Sequence, residues 1–131
     1  MSDMSIELIQ KVITDYYAAT RAMDVGAWLA TMAEDVASYQ PVGTPALQGH
    51  ETLRLFFTNI VSAFETVGLT EDFVHISDNE VAVKWTGRGI GKSGQEVRFE
   101  GIDLFEIDAR GLIQTVRAYW DPTVLMAELQ V

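Results

Sequence analysis

The stretch VRFEGIDLFEID, residues 97–108, decides how this chain is interpreted. Side chains alternate across a β-strand, so every second residue of the stretch shares one face. One face carries apolar residues and glycine, with a single carboxylate, Asp103, among them. The other face carries the charged side chains Arg98, Glu100 and Glu106, which water can solvate. The pattern predicts a strand with a buried aspartate.

Length and composition predict one domain over residues 1–131. With 48% hydrophobic residues, a chain of 131 residues buries roughly two-thirds of its unfolded surface. No apolar run approaches the ~20 residues needed to cross a membrane, and the first residues lack a signal-peptide pattern. We therefore expect a cytoplasmic protein without membrane contact. The chain has no cysteine, which excludes disulfide and thiolate chemistry.

The charge of the chain disfavours nucleic acid as a partner. Lys and Arg number 9 against 19 Asp and Glu, which gives a net charge of −10 and would repel phosphate backbones. The two histidines, His50 and His75, are far apart and in no ligand spacing, so no metal site is expected. We also expect no cofactor.

The first half of the chain predicts three helices. The first carries a stripe at three- and four-residue spacing: Ile9, Val12, Ile13, Tyr16, Tyr17 and Thr20. Asp24 is the predicted N-cap of a short second helix with its apolar residues inward: Val25, Trp28, Leu29 and Met32. After a strand over residues 36–40, a third helix follows residues 49–51 with a wide apolar stripe: Leu53, Phe56, Phe57, Ile60, Val61 and Phe64.

The second half of the chain changes to a period of two. Strands are predicted over residues 73–77, 81–88, 96–107 and 112–120, and a short helix over 123–129. Helices followed by a meander of strands favour an α+β fold, with helices packed on one face of a curved sheet. Such a sheet can enclose a hydrophobic pocket between its concave face and the helices.

Asp103 is the candidate functional residue of this pocket. The turn DARG, residues 108–111, suggests pairing Ile107 with Leu112, which places Asp103 opposite Val116 and Phe99 opposite Trp120. Surrounded by such residues, an ionised carboxylate must be paired or must hold its proton, because burial raises its pKa. A neutral acid would donate a hydrogen bond into the pocket. Alternatively, Asp103 accepts bonds from backbone amides or a buried Tyr or Ser and does no chemistry.

Tyr16, on the inward stripe of the first helix, supports the functional interpretation. A buried tyrosine hydroxyl needs a polar partner. Together with a neutral Asp103 it would supply two donors to a developing oxyanion. The alternative is that Tyr16 is a core residue with its hydroxyl at the edge.

The segment GIDLFEIDARGLIQTVRAYW, residues 101–120, closely resembles the end of bacterial ketosteroid isomerases. It shares with them the aspartate, the D-x-x-G-x-I-Q turn and the terminal A-Y-W. The segments MAEDV, residues 32–36, and QPVGTPALQGHETLRLFF, residues 40–57, are similar to the family's second helix end and its D-P-x-G-x-P loop. The resemblance covers nearly the whole chain.

This resemblance implies a nuclear transport factor 2-like cone, shared with SnoaL-like polyketide cyclases: three helices in the N-terminal half and a curved mixed sheet around a pocket. It also implies a homodimer. It makes Tyr16 and Asp103 the oxyanion-hole donors. The neutral-acid logic of that family is an established example of pKa tuning. The remaining predicted substrate-binding residues are Gln40, Ser38, Met32, Phe57, Phe99, Val116, Ala118 and Trp120.

Gln40 departs from the family pattern, since it stands where the general base precedes the loop proline. An amide takes no proton near neutral pH, whereas a positioned base is worth about 10²–10⁴-fold in rate. Met32 and Phe57 replace the family's usual tyrosines, which thins the network around Tyr16, and Ser38 keeps the corner near Gln40 polar.

Three functions therefore stay open. The first is an isomerase or related enolising enzyme that acts on a hydrophobic ketone through Tyr16 and Asp103, with a displaced or water-borne base. The second is a cyclase or hydrolase in which Gln40 orients substrate or water. The third is a non-catalytic module that binds a small hydrophobic ligand. For the homodimer, the outer face of the last two strands is the expected interface, since it mixes apolar side chains with paired charges.

Overall fold

The structure is a computed structural model and describes residues 5–129. Its elements, in chain order, are α1 (Ile6–Arg21), α2 (Val25–Leu29), β1 (Met32–Tyr39), β2 (Leu47–Gln48), α3 (Gly49–Val61), β3 (Phe64–Ser77), β4 (Glu80–Gly91), β5 (Glu96–Ile107), β6 (Ile113–Tyr119) and α4 (Pro122–Leu129). The six strands form one curved sheet in the order β2-β1-β6-β5-β4-β3. Only β1 and β6 pair in parallel among these neighbours. The predicted α+β class is confirmed.

Local sequence explains where the helices begin. The Ser5 hydroxyl caps α1 by accepting a hydrogen bond from the Leu8 amide at 3.1 Å, and Asp24 caps α2 in the same way at the Ala27 amide. The last turn of α1 then crosses β3 at Gly68. A Cβ there would lie 2.7 Å from the Arg21 Cα, so only glycine permits this close packing. The crossing fixes the inward face of α1 over the sheet.

The core lies between the helices and the inner face of the sheet. The predicted alternation of β5 is confirmed, because Val97, Gly101, Asp103, Phe105 and Ile107 are buried. The outward set leaves two large apolar side chains exposed, Ile102 and Leu104. No helix within residues 5–129 combines the length and the apolar character that a membrane crossing requires.

The predicted register between β5 and β6 is wrong by two residues. Asp103 faces Ala118, not Val116, and Phe105 faces Val116. The turn contributes one residue of the shift, because Ile107 pairs with Ile113. A bulge after that pair contributes the second. A shift of two preserves the faces, so the predicted burial of Asp103 survives the wrong register.

The largest differences from the predicted elements are at β1, β2 and β3. β1 begins at Met32, so this residue starts a strand and does not end the second helix. β3 begins at Phe64, far earlier than the predicted residue 73, and Phe64 is therefore not part of α3. The short strand β2, which pairs with β1 at Ala37 and Ser38, was not predicted.

Candidate functional site

A cavity of about 90 Å³ lies between the helices and the inner face of the sheet. α1, α2 and α3 contribute aromatic and apolar side chains to its wall, and Leu125 of α4 closes another side. Tyr16, Gln40 and Asp103 bring oxygen and nitrogen atoms to this mostly apolar lining, which also contains the hydroxyl of Thr20 and three tryptophan indoles. Among its described lining residues, Asp103 is the one acid.

Asp103 is buried, with 2% of its surface exposed. Its Oδ2 accepts a hydrogen bond from the Tyr17 hydroxyl at 2.5 Å. Burial raises the pKa of this carboxyl to about 6, and the hydrogen bond from Tyr17 and the nearby indole of Trp85 oppose the rise. The predicted direction of the pKa shift agrees with this. At pH 7, however, a group of this pKa is mainly ionised, so the neutral acid is the minor form there.

The two neighbouring tyrosines of α1 have different surroundings. Tyr17 reaches Asp103, whereas Tyr16 lines the cavity and its ring packs 5.7 Å from that of Trp28 and 5.1 Å from that of Phe105. Burial, followed by the charge of Asp103, raises the pKa of Tyr16 well above its usual value, and the side chains of Trp28 and Gln40 act against this. Tyr16 thus stays protonated and can donate its proton.

Gln40 forms a second polar corner of the cavity, close enough to Tyr16 to act on the pKa of its hydroxyl. Its Oε1 accepts a hydrogen bond from the Trp120 indole at 3.1 Å, and its Nε2 donates to the Ser38 hydroxyl at 3.0 Å. Both ends of the carboxamide are therefore engaged within the protein. Gln40 holds Trp120 in the wall and has no basic site for a substrate proton.

The match to a family of known proteins is extensive. The model of the SnoaL-like domain family matches residues 13–116, which is most of the chain. The chain belongs to the SnoaL-like family. The match spans α1 through most of β6 and therefore includes Tyr16, Gln40 and Asp103.

Solved structures similar to this SnoaL-like domain include three proteins that are described in different ways. The Δ5-3-ketosteroid isomerase from a Mycobacterium species is 20% identical, with a TM-score of 0.78, 89% of this chain and 95% of that chain covered. SalBIII is described as an epoxide hydrolase/cyclase-like enzyme with a role in pyran ring formation in salinomycin. It is 20% identical, with a TM-score of 0.79, and the match covers 90% of this chain and 94% of SalBIII. A Mycobacterium tuberculosis protein in complex with estradiol-17β-hemisuccinate is 22% identical, with a TM-score of 0.78. The match covers 89% of this chain and 96% of that protein. At these identities the likeness shows the shared fold.

The structure brings part of the predicted site together. Six predicted residues line the cavity of this SnoaL-like domain: Tyr16, Gln40, Phe57, Phe99, Asp103 and Trp120. Four others do not: Met32, Ser38, Val116 and Ala118. Each of these four is buried, and Ser38 still acts at the site by accepting the bond from Gln40. The side chains of these four are enclosed in the core, and their role in substrate binding stays a prediction.

Ten residues that line the cavity were not predicted as site residues, and two of them, Trp28 and Trp85, carry a polar group that a ligand site could use. Sequence reasoning placed Trp28 on the inward face of its helix and treated it as core. The available signal was the indole N–H of each, a polar group on an apolar face that needs a partner. Within residues 5–129 there is no cluster of three or more His, Cys, Asp or Glu side chains able to hold a metal ion.

Proposed function

We propose that this SnoaL-like domain binds a compact hydrophobic ligand through a ketone or phenol oxygen that contacts Tyr16 and Asp103. The observation that carries the proposal is the position of both side chains in the wall of one apolar cavity, with Asp103 only 2% exposed. Apolar pockets with a few convergent polar groups are the usual sites of small ligands. The apolar wall would bind the hydrocarbon skeleton, and the polar end would orient the oxygen.

The size of the cavity supports a ligand with one ring. Its volume of about 90 Å³ is smaller than the roughly 150 Å³ of an engineered cavity that binds benzene. Pockets for drug-sized ligands are larger still, at about 300–1,000 Å³. A ligand with several fused rings would therefore displace lining side chains, and a one-ring ligand such as cyclohexanone or phenol also requires the lining to adjust, though by less.

The role of Asp103 in binding changes with pH. Below about pH 6 the carboxyl is protonated and donates to a ketone oxygen beside Tyr16, the arrangement of an oxyanion hole. Above about pH 6 it is ionised and accepts a hydrogen bond from a phenol hydroxyl. The site would thus favour ketones in acid and phenols at neutral pH.

Isomerase activity is limited by the position of Gln40. A ketosteroid isomerase is among the proteins of this fold, but both amide ends of Gln40 are engaged and neither can take a proton. We therefore propose an isomerase-like site in which enolisation lacks its base. Binding through Tyr16 and Asp103 is unaffected by that loss.

The test uses cyclohex-3-en-1-one, a one-ring ketone whose double bond moves into conjugation when its enol forms and is reprotonated. We expect Gln40→Asp to convert it about 10²–10⁴-fold faster than wild type, the usual contribution of a positioned base. Gln40→Asn, which keeps an amide, is the matched control and should stay at the wild-type rate. If neither wild type nor Gln40→Asp converts the ketone, and neither binds phenol, the proposed function is wrong.

A cyclase or hydrolase is the second candidate, favoured by the ionised carboxyl in the cavity. Asp103, with a pKa of about 6, can exchange a proton near neutral pH, as a general acid or base does. In this alternative Gln40 would orient substrate or water, and a cyclase-like enzyme is among the similar structures. Asp103→Asn would then abolish turnover of such a substrate, whereas in the binding proposal this variant still binds ketones.

We also propose a homodimer formed through the outer sheet face. There the apolar side chains of Ile102, Leu104 and Tyr119 are exposed at 45%, 37% and 45%. The Arg117–Glu106 pair lies on the same face and can orient a partner. Sedimentation at micromolar concentration should show a dimer, and Leu104→Glu should shift it to a monomer. A monomeric wild type would contradict this proposal.

A further inference from the structure

Two tryptophans at the cavity bury an indole N–H that has no partner. Trp28 of α2 and Trp85 of β4 are exposed at only 3% and 2%, and both line the cavity. Neither Nε1 has a hydrogen-bond partner among residues 5–129. Buried polar groups are nearly always bonded, so each such group needs an explanation. Two of them beside one candidate site point to a role there.

Trp85 lies against the strand that carries Asp103. It pairs with Gly101, and a Cβ built on Gly101 would lie 2.5 Å from the Trp85 Cζ2. The indole therefore rests directly on β5, which only a glycine permits. Cζ2 is bonded to the ring carbon that bears the nitrogen, so the N–H edge is the part of the ring at this strand. Asp103 is the next residue along the same face.

Trp28 has the corresponding position beside Tyr16. Its ring lies 5.7 Å from the Tyr16 ring and 4.8 Å from that of Phe57, measured between centroids. Phe57 has no polar atom, so within this stack Tyr16 is the side chain that can accept from the indole. The opposing effect of Trp28 on the pKa of Tyr16 agrees with a donor directed at its hydroxyl oxygen.

We infer that Trp28 and Trp85 are positioning residues, with Trp28 directing its N–H to the Tyr16 hydroxyl oxygen and Trp85 directing its N–H to the Asp103 carboxyl. This inference rests on the proposed function. The two indole donors give the Tyr16 hydroxyl and the Asp103 carboxyl different roles toward a ligand. A Tyr16 oxygen that accepts from Trp28 turns its own proton to the ligand, whereas an Asp103 supported by Trp85 and Tyr17 accepts from the ligand. The best ligand then has a hydroxyl that both accepts and donates, as a phenol or an enol does.

Few other groups act on Asp103. On α1 the titratable groups facing it are Tyr16 and Tyr17. Its strand neighbours, Val83 on β4 and Ala118 on β6, carry no ionisable group. Replacing Trp85 with phenylalanine therefore removes one donor and leaves the charge around Asp103 unchanged.

The first test titrates Asp103 without any ligand, by NMR of ¹³C-labelled aspartate carboxyls. We expect Trp85→Phe to raise the midpoint by roughly one pH unit, the effect of losing one hydrogen bond to a charged group. Trp120→Phe is the matched control, because that indole bonds to Gln40, and it should leave the midpoint in place. An unchanged midpoint in Trp85→Phe would overturn the role of Trp85.

A second measurement needs only the wild-type protein. The chain has 3 tryptophans, so its indole N–H groups give three resolvable NMR signals. As the pH rises through about 6, the proton of Trp85 should move downfield as its bond to ionised Asp103 closes, while that of Trp120 stays in place. A Trp85 signal that does not follow the ionisation would contradict the inference even if Trp85→Phe fails to fold.

Phenol binding tests the role of Trp28. Trp28→Phe should weaken phenol binding roughly threefold to tenfold at both pH 5 and pH 8, since one neutral hydrogen bond is lost at either pH. Affinity equal to wild type would overturn this role. Failure of wild type to bind phenol would refute the proposed function together with the role of Trp28, whereas the titration without ligand still decides that of Trp85.

Discussion

The two polar corners of the cavity differ in what they leave free for a ligand. Asp103 accepts a hydrogen bond from Tyr17 at Oδ2, and its carboxyl keeps lone pairs for the Trp85 indole and for a ligand. Gln40 is bonded at both ends of its amide, to Trp120 and to Ser38. Both side chains lie in the same apolar wall. Position in a pocket therefore does not decide the chemical role of a side chain. That role depends on which of its polar atoms still lack a hydrogen-bond partner.

The corners also differ in their response to pH. Asp103 titrates near pH 6 because it is buried, whereas the amide of Gln40 does not ionise. In the proposed function, the Asp103 corner therefore changes between donor and acceptor near pH 6, whereas the Gln40 corner does not. The following variants test this difference in order of expected effect.

The largest effect is the pH dependence of stability set by Asp103. Its folded pKa of about 6 lies above the usual value of 3.8 for an aspartate, so the folded state binds more protons between these values. The free energy of unfolding should therefore fall as pH rises from about 4 to about 6, by about 3 kcal/mol at 1.36 kcal/mol per pKa unit. Asp103→Asn should remove this fall in urea-unfolding curves. A variant that keeps the wild-type pH dependence would contradict the assignment.

The second effect separates the two tyrosines. Tyr17→Phe removes the donor to Asp103 and should lower the free energy of unfolding at pH 8 by about 1.5–3 kcal/mol, as for a hydrogen bond to a charged group. Tyr16→Phe, one residue away, leaves that bond in place and should instead weaken phenol binding. Equal stability losses in the two variants would show that the surroundings of Tyr16 and Tyr17 do not differ as described.

The smallest effect is expected at Gln40. Gln40→Ala removes the partners of Trp120 and Ser38 and should destabilise the protein by about 1–2 kcal/mol, measured by urea unfolding. The titration midpoint of Asp103 should not move. A midpoint that shifts in Gln40→Ala would mean that the two corners are coupled.

The sequence was sufficient to predict which face of β5 is buried and that α1 faces the sheet, because both depend on periodicity. It could not distinguish Tyr16 from Tyr17 as the partner of Asp103. Both lie on the inward stripe, and which hydroxyl reaches Asp103 depends on how α1 crosses the sheet at Gly68. The resemblance to ketosteroid isomerases assigns the oxyanion-hole tyrosine to Tyr16. The hydrogen bond of 2.5 Å to Asp103 Oδ2, however, is donated by the hydroxyl of its neighbour Tyr17.

The start of β1 shows a second limit. Met32 and Ala33 are buried, and the next two residues, Glu34 and Asp35, are exposed. Two inward residues followed by two outward ones match the helical period better than the alternation of a strand. The cause is a register irregularity between β1 and β6 after Met32. A bulge cannot be seen in the sequence, because it depends on the partner strand.

The most direct test of the account compares two ligands over the pH range. Dissociation constants for cyclohexanone and phenol are measured from pH 5 to pH 8 for wild type and Asp103→Asn. If Asp103 changes from donor to acceptor, the preference of wild type for phenol over cyclohexanone should rise about tenfold with a midpoint near pH 6, and the variant should show no such rise. A preference that stays constant with pH in the wild type would contradict the assignment of Asp103 as the ligand-contacting acid.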